Sequence, residues 1–197
     1  MQLIGWTRFK WLCWRSGVDP KRTLTNTHFN SKVAMLIKKL RLYNFKKFKK
    51  QIFDFNDDIN IIVGDNESGK SSLLEAMELV LNGCYRGKPL RSELTTELFN
   101  NECVEAYLSG NKSQETLPEI LVEAYLDGAP NLKGDNNSER QDTEGLFIRI
   151  FFDPELADAY ASFVENPDNV STLPVEMYTF EWFSFAWNRV NQHNKGI

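Results

Sequence analysis

The chain has 197 residues, 42% hydrophobic and 25% charged, with a net charge of −4. That supplies one domain with a real core and excludes a disordered or fibrous chain. No apolar run approaches the ~18 residues of a membrane-spanning helix, and Cys13, Cys84 and Cys103 are odd in number and lack metal-ligand spacing. The expectation is a cytoplasmic protein with reduced thiols and no membrane contact.

Charge is distributed unevenly. Residues 1–53 carry 13 Lys or Arg against the single acid Asp19, whereas the remainder carries 10 against 26. Two readings stay open for the basic part: a face for nucleic acid, or lysines (38, 39, 46, 47, 49 and 50) forming the solvated rim of an edge hairpin.

In chain order, residues 1–34 hold Trp6, Trp11 and Trp14 among scattered basic residues without a sustained period. They are read as an irregular extension outside the fold, and two native starts stay open, Met1 and Met35, where a more regular pattern begins. Leu36 to Phe45 and Gln51 to Phe55 alternate apolar and polar residues around Lys46 to Lys50, which predicts a hairpin. Ile59 to Val63 is nearly continuous and β-branched, as in a buried strand of a mainly parallel sheet.

Gly64-Asp65-Asn66-Glu67-Ser68-Gly69-Lys70-Ser71 follows directly and matches the phosphate-binding pattern G-x-x-x-x-G-K-[ST]. Glycines 64 and 69 allow a tight turn, so the N–H groups of Asn66, Glu67, Ser68, Gly69, Lys70 and Ser71 can face an anion at a helix start. Lys70 would reach the β- and γ-phosphates, Ser72 the α-phosphate, and the Ser71 hydroxyl a magnesium ion. ATP and Mg2+ are the implied ligands. Leu73, Leu74, Met77, Val80 and Leu81 then mark the apolar stripe of a helix stopped at Gly83.

Residues 86–110 read as helical pieces, with Leu94, Leu98, Val104 and Leu108 inward. Glu119 to Leu126 predicts a strand, 127–145 a long polar loop, and Leu146 to Phe152 a further strand. Asp153-Pro154 caps a helix with Leu156, Tyr160, Phe163 and Val164 on its core side. Val175 to Trp187 reads as one long strand. An α/β fold with a mixed sheet, including an antiparallel group of strands beside the nucleotide site, is expected.

Two look-alikes are set aside. Leu108-Ser109-Gly110-Asn111 resembles a cassette signature, but such a motif must open a helix, and Pro118 with polar residues follows. Ile150 to Asp153 resembles a magnesium-binding strand end, yet Pro154 stands where a catalytic glutamate belongs, and Asp153 reads better as a helix cap.

The stretch LIKKLRLYNFKKFKKQIFDFNDDINIIVGDNESGKSSLLEAMELVLNG resembles the start of an ATP-binding-cassette ATPase head of the SMC, RecF-like and OLD kind. With the Asp65-Asn66-Glu67 variant, Leu117 to Asp127 and Leu173 to Trp182, it is most similar to the OLD (overcoming lysogenization defect) ATP-dependent endonucleases, over roughly residues 35–187. The resemblance implies a P-loop NTPase of ABC/SMC-head type, residues 35–197 forming its N-terminal part and stopping short of the signature motif and Walker B strand. From Asn44-Phe45-Lys46 it makes Lys46 an ATP contact. For the full-length protein it implies DNA as substrate, assembly into a homo-oligomer through the heads, roles in DNA repair or phage defence, and a Toprim nuclease domain not visible in this chain. Two alternatives are a RecF- or SMC-like repair ATPase without nuclease and a nucleotide-binding module without its own turnover.

Overall fold

The computed structural model describes residues 35–191, so the expected extension 1–34 lies outside the described residues. Strands β1 (Leu36–Phe45) and β2 (Phe48–Asp54) form the expected hairpin, with a turn tighter than the lysine run suggests. β5 (Ile120–Asp127) pairs with β1, β7 (Thr143–Phe152) with β5, and β8 (Tyr178–Ser184) with β7. Two-residue β6 (Lys133–Gly134) joins β7 within the polar loop. The order β2-β1-β5-β7-β6, with β8 beside β7, makes a six-stranded sheet whose described pairings are all antiparallel.

Alternation sets the two faces of this sheet. Leu40, Leu42, Val122, Ala124, Ile148 and Ile150 point inward and are buried, and helix α1 (Lys70–Asn82) lies over them through Leu73, Ala76, Met77, Leu79, Val80 and Leu81. The stripe differs from expectation at Leu74, which is half exposed because Ala76 and Leu79 take the inward positions instead. On the outer face the 128–142 loop is tied down: the Ser138 N–H donates to Glu123 at 2.7 Å, and Glu139 holds Arg41 at 2.9 Å and Lys39 at 2.8 Å.

Helix α1 ends at Gly83, whose φ of 63° is left-handed. Trp182 of β8 fills the space beneath: its indole Nε1–H donates to the Val80 carbonyl at 2.8 Å, and a Cβ on Gly83 would sit 2.7 Å from Trp182 Cζ3. The site allows no side chain.

Residues 84–110 are less helical than expected. A tight hairpin, β3 (Cys84–Tyr85) and β4 (Lys88–Pro89), turns through Arg86 and Gly87, both at positive φ. Short α2 (Leu90–Glu93), a 3-10 turn at Thr96–Leu98 and α3 (Asn101–Ser109) follow. Leu98 is buried, while Leu94, Val104 and Leu108 pack on the core rim. Asp153 caps the next helical stretch, accepting from the Glu155 N–H at 3.0 Å, and α4 (Ala157–Phe163) buries Tyr160. Residues 175–177 form a 3-10 turn, so the last strand starts later than its alternation suggests.

The main correction concerns Ile59 to Val63. These residues form no strand, and Ile59, Ile61, Ile62 and Val63 are 49%, 67%, 39% and 82% exposed. A both-faces-buried strand needs neighbours to take its backbone hydrogen bonds, and none of the described strands pairs with it.

Gly83→Ala should lower the unfolding free energy by at least about 2 kcal/mol: left-handed geometry costs an L side chain about 1–2 kcal/mol, and displacing the indole adds to that. Urea denaturation measures the change, and an unaltered midpoint would show that Trp182 does not seat the helix.

Candidate functional site

Three pieces of chain meet at residues 64–72. Helix α1 rises from the loop, the β1–β2 turn lies against it, and the 97–102 segment closes a cleft of about 550 Å³ beyond Ser72, lined by Lys46, Lys47, Glu97, Phe99, Asn100 and Glu102. Isolated pairing of Phe45 with Phe99, with the Lys46 N–H on the Leu98 carbonyl at 2.9 Å and the Asn100 N–H on the Asn44 carbonyl at 2.8 Å, fixes that segment.

The loop is built by crowding. A Cβ on Gly64 would lie 2.5 Å from Ser68 Oγ, and one on Gly69, at φ 96°, 2.8 Å from Phe48 Cζ. Glu67 takes a left-handed φ of 69°, which glycine would adopt without strain. The loop is pulled into a cradle around Lys70, whose ammonium donates to the Gly64 and Asp65 carbonyls, each at 2.6 Å, and to Ser68 Oγ at 3.2 Å.

No side chain caps α1, and the first bond of its ladder runs from the Leu73 N–H to the Gly69 carbonyl at 2.9 Å. The N–H groups of Lys70, Ser71 and Ser72 precede that bond at the positive end of the helix dipole. The donors, the ammonium and an exposed Ser71 hydroxyl fit a triphosphate with its magnesium ion. Asn66, Glu67, Ser68, Gly69, Lys70, Ser71 and Ser72 are thus gathered as the sequence pattern requires.

Lys46 is placed differently. Its left-handed φ of 50° turns the chain so that Lys46 and Lys47 diverge. The Lys46 ammonium bonds Glu75 on α1 and lies 5.0 Å from the centre of the Tyr85 ring, while Arg86 reaches the same carboxylate at 2.9 Å and stacks on the other partner of this cluster, Tyr85, also at 5.0 Å. Lys47 donates instead to the Glu67 carbonyl within the phosphate loop. Asn44 is structural as well: its amide donates to the Glu119 carbonyl at 2.8 Å and its Oδ1 accepts from Cys103 Sγ at 2.9 Å.

Sequence reasoning passed over Lys47, Glu75 and Arg86. Only Glu75 had a signal, since it lies four residues after Ser71 and so on the same helix face. Ser109 closes α3 instead of opening a helix, and its hydroxyl donates to the Glu105 carbonyl at 2.7 Å.

The family profile described as "AAA domain" matches residues 39–165, from the middle of β1 to just beyond α4. The chain belongs to the AAA domain family. Its sequence is similar to the DNA replication and repair protein RecF of Clostridium kluyveri, 31% identical over 124 residues, which are 61% of this chain and 33% of that protein. The RecF of Vibrio campbellii is 32% identical over 102 residues, 50% and 27% of the two chains. The chain therefore spans about a third of the length of the curated relatives it matches.

Among solved structures, one described under "ATP-driven dimerization and DNA stimulated activation of SMC ATPases" aligns with a TM-score of 0.43 and 20% identity, covering 81% of this chain and 74% of that one. A RecF–ATP structure aligns at 0.38 with 22% identity, covering 58% and 24%. This AAA domain has an α/β fold with its antiparallel sheet beside the phosphate loop. No helix among the described residues is long and apolar enough to cross a membrane.

Burial would raise the Glu75 carboxyl, but hydrogen bonds and charge from Lys46 and Arg86 outweigh it and hold the group below the ordinary carboxylate value. A depressed folded value stabilises the fold above the unfolded pKa, and the gain disappears as pH falls through the folded one. Glu75→Gln should therefore cost about 1–2 kcal/mol at pH 7 and progressively less below about pH 4. Denaturation of both proteins across pH 3–7 checks this, and a pH-independent difference would contradict it.

Proposed function

We propose that the chain is the nucleotide-binding part of a DNA-acting ATPase of the RecF and SMC kind, holding Mg-ATP between residues 64 and 72. The observation that carries the proposal is Lys70 ringed by the Gly64 and Asp65 carbonyls at the uncapped start of α1. In that assignment, N–H groups from Asn66 to Ser72 and the Lys70 ammonium hold the phosphates, and Ser71 binds the metal. The magnesium ion would neutralise and orient the β- and γ-phosphates.

The described residues supply a cradle but not the parts for turnover. Ser109 ends a helix, Asp153 caps one, and apolar Ile59 to Val63 stands uncovered beside the loop. The reading that fits is an N-terminal head portion, 35–197, whose loop strand enters a sheet completed by strands outside the described residues. A second head in a homo-oligomer would then contribute the signature serine across ATP. DNA is the proposed substrate of the whole protein, in a reducing cytoplasm, with RecF as the relative that supports a repair role.

An OLD-type endonuclease is the finer second reading. It rests on the resemblance of the Asp65-Asn66-Glu67 loop to that group. Metal-dependent DNA cleavage by the product of the whole gene separates the two: cleavage lost on mutating downstream acidic residues supports OLD, and ATP turnover without cleavage supports the repair ATPase.

Lys70→Ala should abolish most Mg-ATP binding with the fold intact, a loss of at least about 100-fold. Titration calorimetry alongside thermal unfolding measures both, and native affinity in the variant would refute the assignment.

A further inference from the structure

Two adjacent lysines leave the β1–β2 turn in different directions, and only one goes to the phosphate loop. Lys46 is committed to helix α1: it and Glu75 are each 15% exposed at the side chain, and the ammonium is bound to that carboxylate and packed over Tyr85. Its charge is already used. Moving it to a phosphate would leave Glu75 in its half-buried place with Arg86 as its remaining partner.

Lys47 has the opposite environment. It is exposed, its ammonium donates to the neutral Glu67 carbonyl, and its stem approaches Gly69, with Cδ 3.6 Å from where a Cβ would stand. It also lines the cleft beyond the loop together with Ser72. A carbonyl satisfies a hydrogen bond without neutralising the charge, so a full positive charge stands at the rim of the cradle.

Resting on the nucleotide assignment proposed above, we infer that Lys47, not Lys46, is the second cation of the triphosphate site. On binding, its ammonium exchanges the Glu67 carbonyl for a phosphate oxygen. Lys46 stays with Glu75 and Arg86 and positions the turn that presents Lys47.

The test is Mg-ATP binding by calorimetry on the native chain, Lys47→Met, Lys47→Arg, Lys46→Met and Lys70→Ala, with thermal unfolding of each. Lys47→Met should bind about tenfold more weakly, as expected for losing one charge-assisted hydrogen bond. Lys47→Arg should stay within about threefold of native, and Lys46→Met should melt at a lower temperature while losing less affinity than Lys47→Met. Because the contact is between charges, raising the ionic strength should weaken binding less in Lys47→Met than in the native chain. A Lys47 that merely straps the loop would lower affinity equally at every salt concentration, and that result overturns the inference. So does native affinity in Lys47→Met, or a larger loss in Lys46→Met. If Lys70→Ala binds as the native chain does, the nucleotide assignment itself fails. Native binding in Lys47→Met with binding lost in Lys70→Ala removes this inference alone.

Discussion

The seating of α1 on the antiparallel sheet governs the rest of the structure. A helix is stiff, so fixing its buried stripe and its C-terminal end also fixes the direction of the N–H groups at its start. Leu73, Ala76, Met77 and Val80 provide the stripe, and Trp182 locks the end through the Val80 carbonyl and the space that Gly83 leaves open. The phosphate loop is the other end of this arrangement. Its donors point where they do because a tryptophan from the last strand holds the far end of the helix.

A second constraint is charge pairing across the chain. Within the described β1–β2 hairpin, five basic residues find counter-ions elsewhere in the chain: Lys38 meets Asp57 and Asp127, Lys39 and Arg41 meet Glu139, Lys46 meets Glu75, and Lys49 meets Glu102. The positive charge of this hairpin is therefore largely paired within the fold, which weakens the case for a nucleic-acid face on it. β2 remains an edge strand, with lysines 49 and 50 exposed along it as expected of a guarded edge. Lys47 departs from this pattern, because its partner is a carbonyl of the phosphate loop.

The exposed run Ile59 to Val63 connects structure to proposed function. Four large apolar side chains directly before a phosphate loop are costly in water, and burial among further strands would both remove that cost and fix the entry to Gly64. The antiparallel sheet holds the exit of the loop through α1, while its entry has no such support among the described strands. Among the described residues the phosphate loop is thus held firmly on its exit side alone.

The sequence by itself determined the local parts. The glycine spacing, Lys70 and the helix stripe located the loop, alternation located β1, β5 and β7, and Asp153-Pro154 located a cap, because each depends on residues within a few positions of one another. Tertiary structure alone decided which lysine meets the loop, which acid holds Lys46, that Leu74 faces outward, and that Ile59 to Val63 finds no strand partner among the described residues. Those outcomes depend on chain direction after one left-handed residue and on partners tens of residues away. Periodicity reports which residues could be buried, but burial itself is set by whether another strand or helix arrives to cover them.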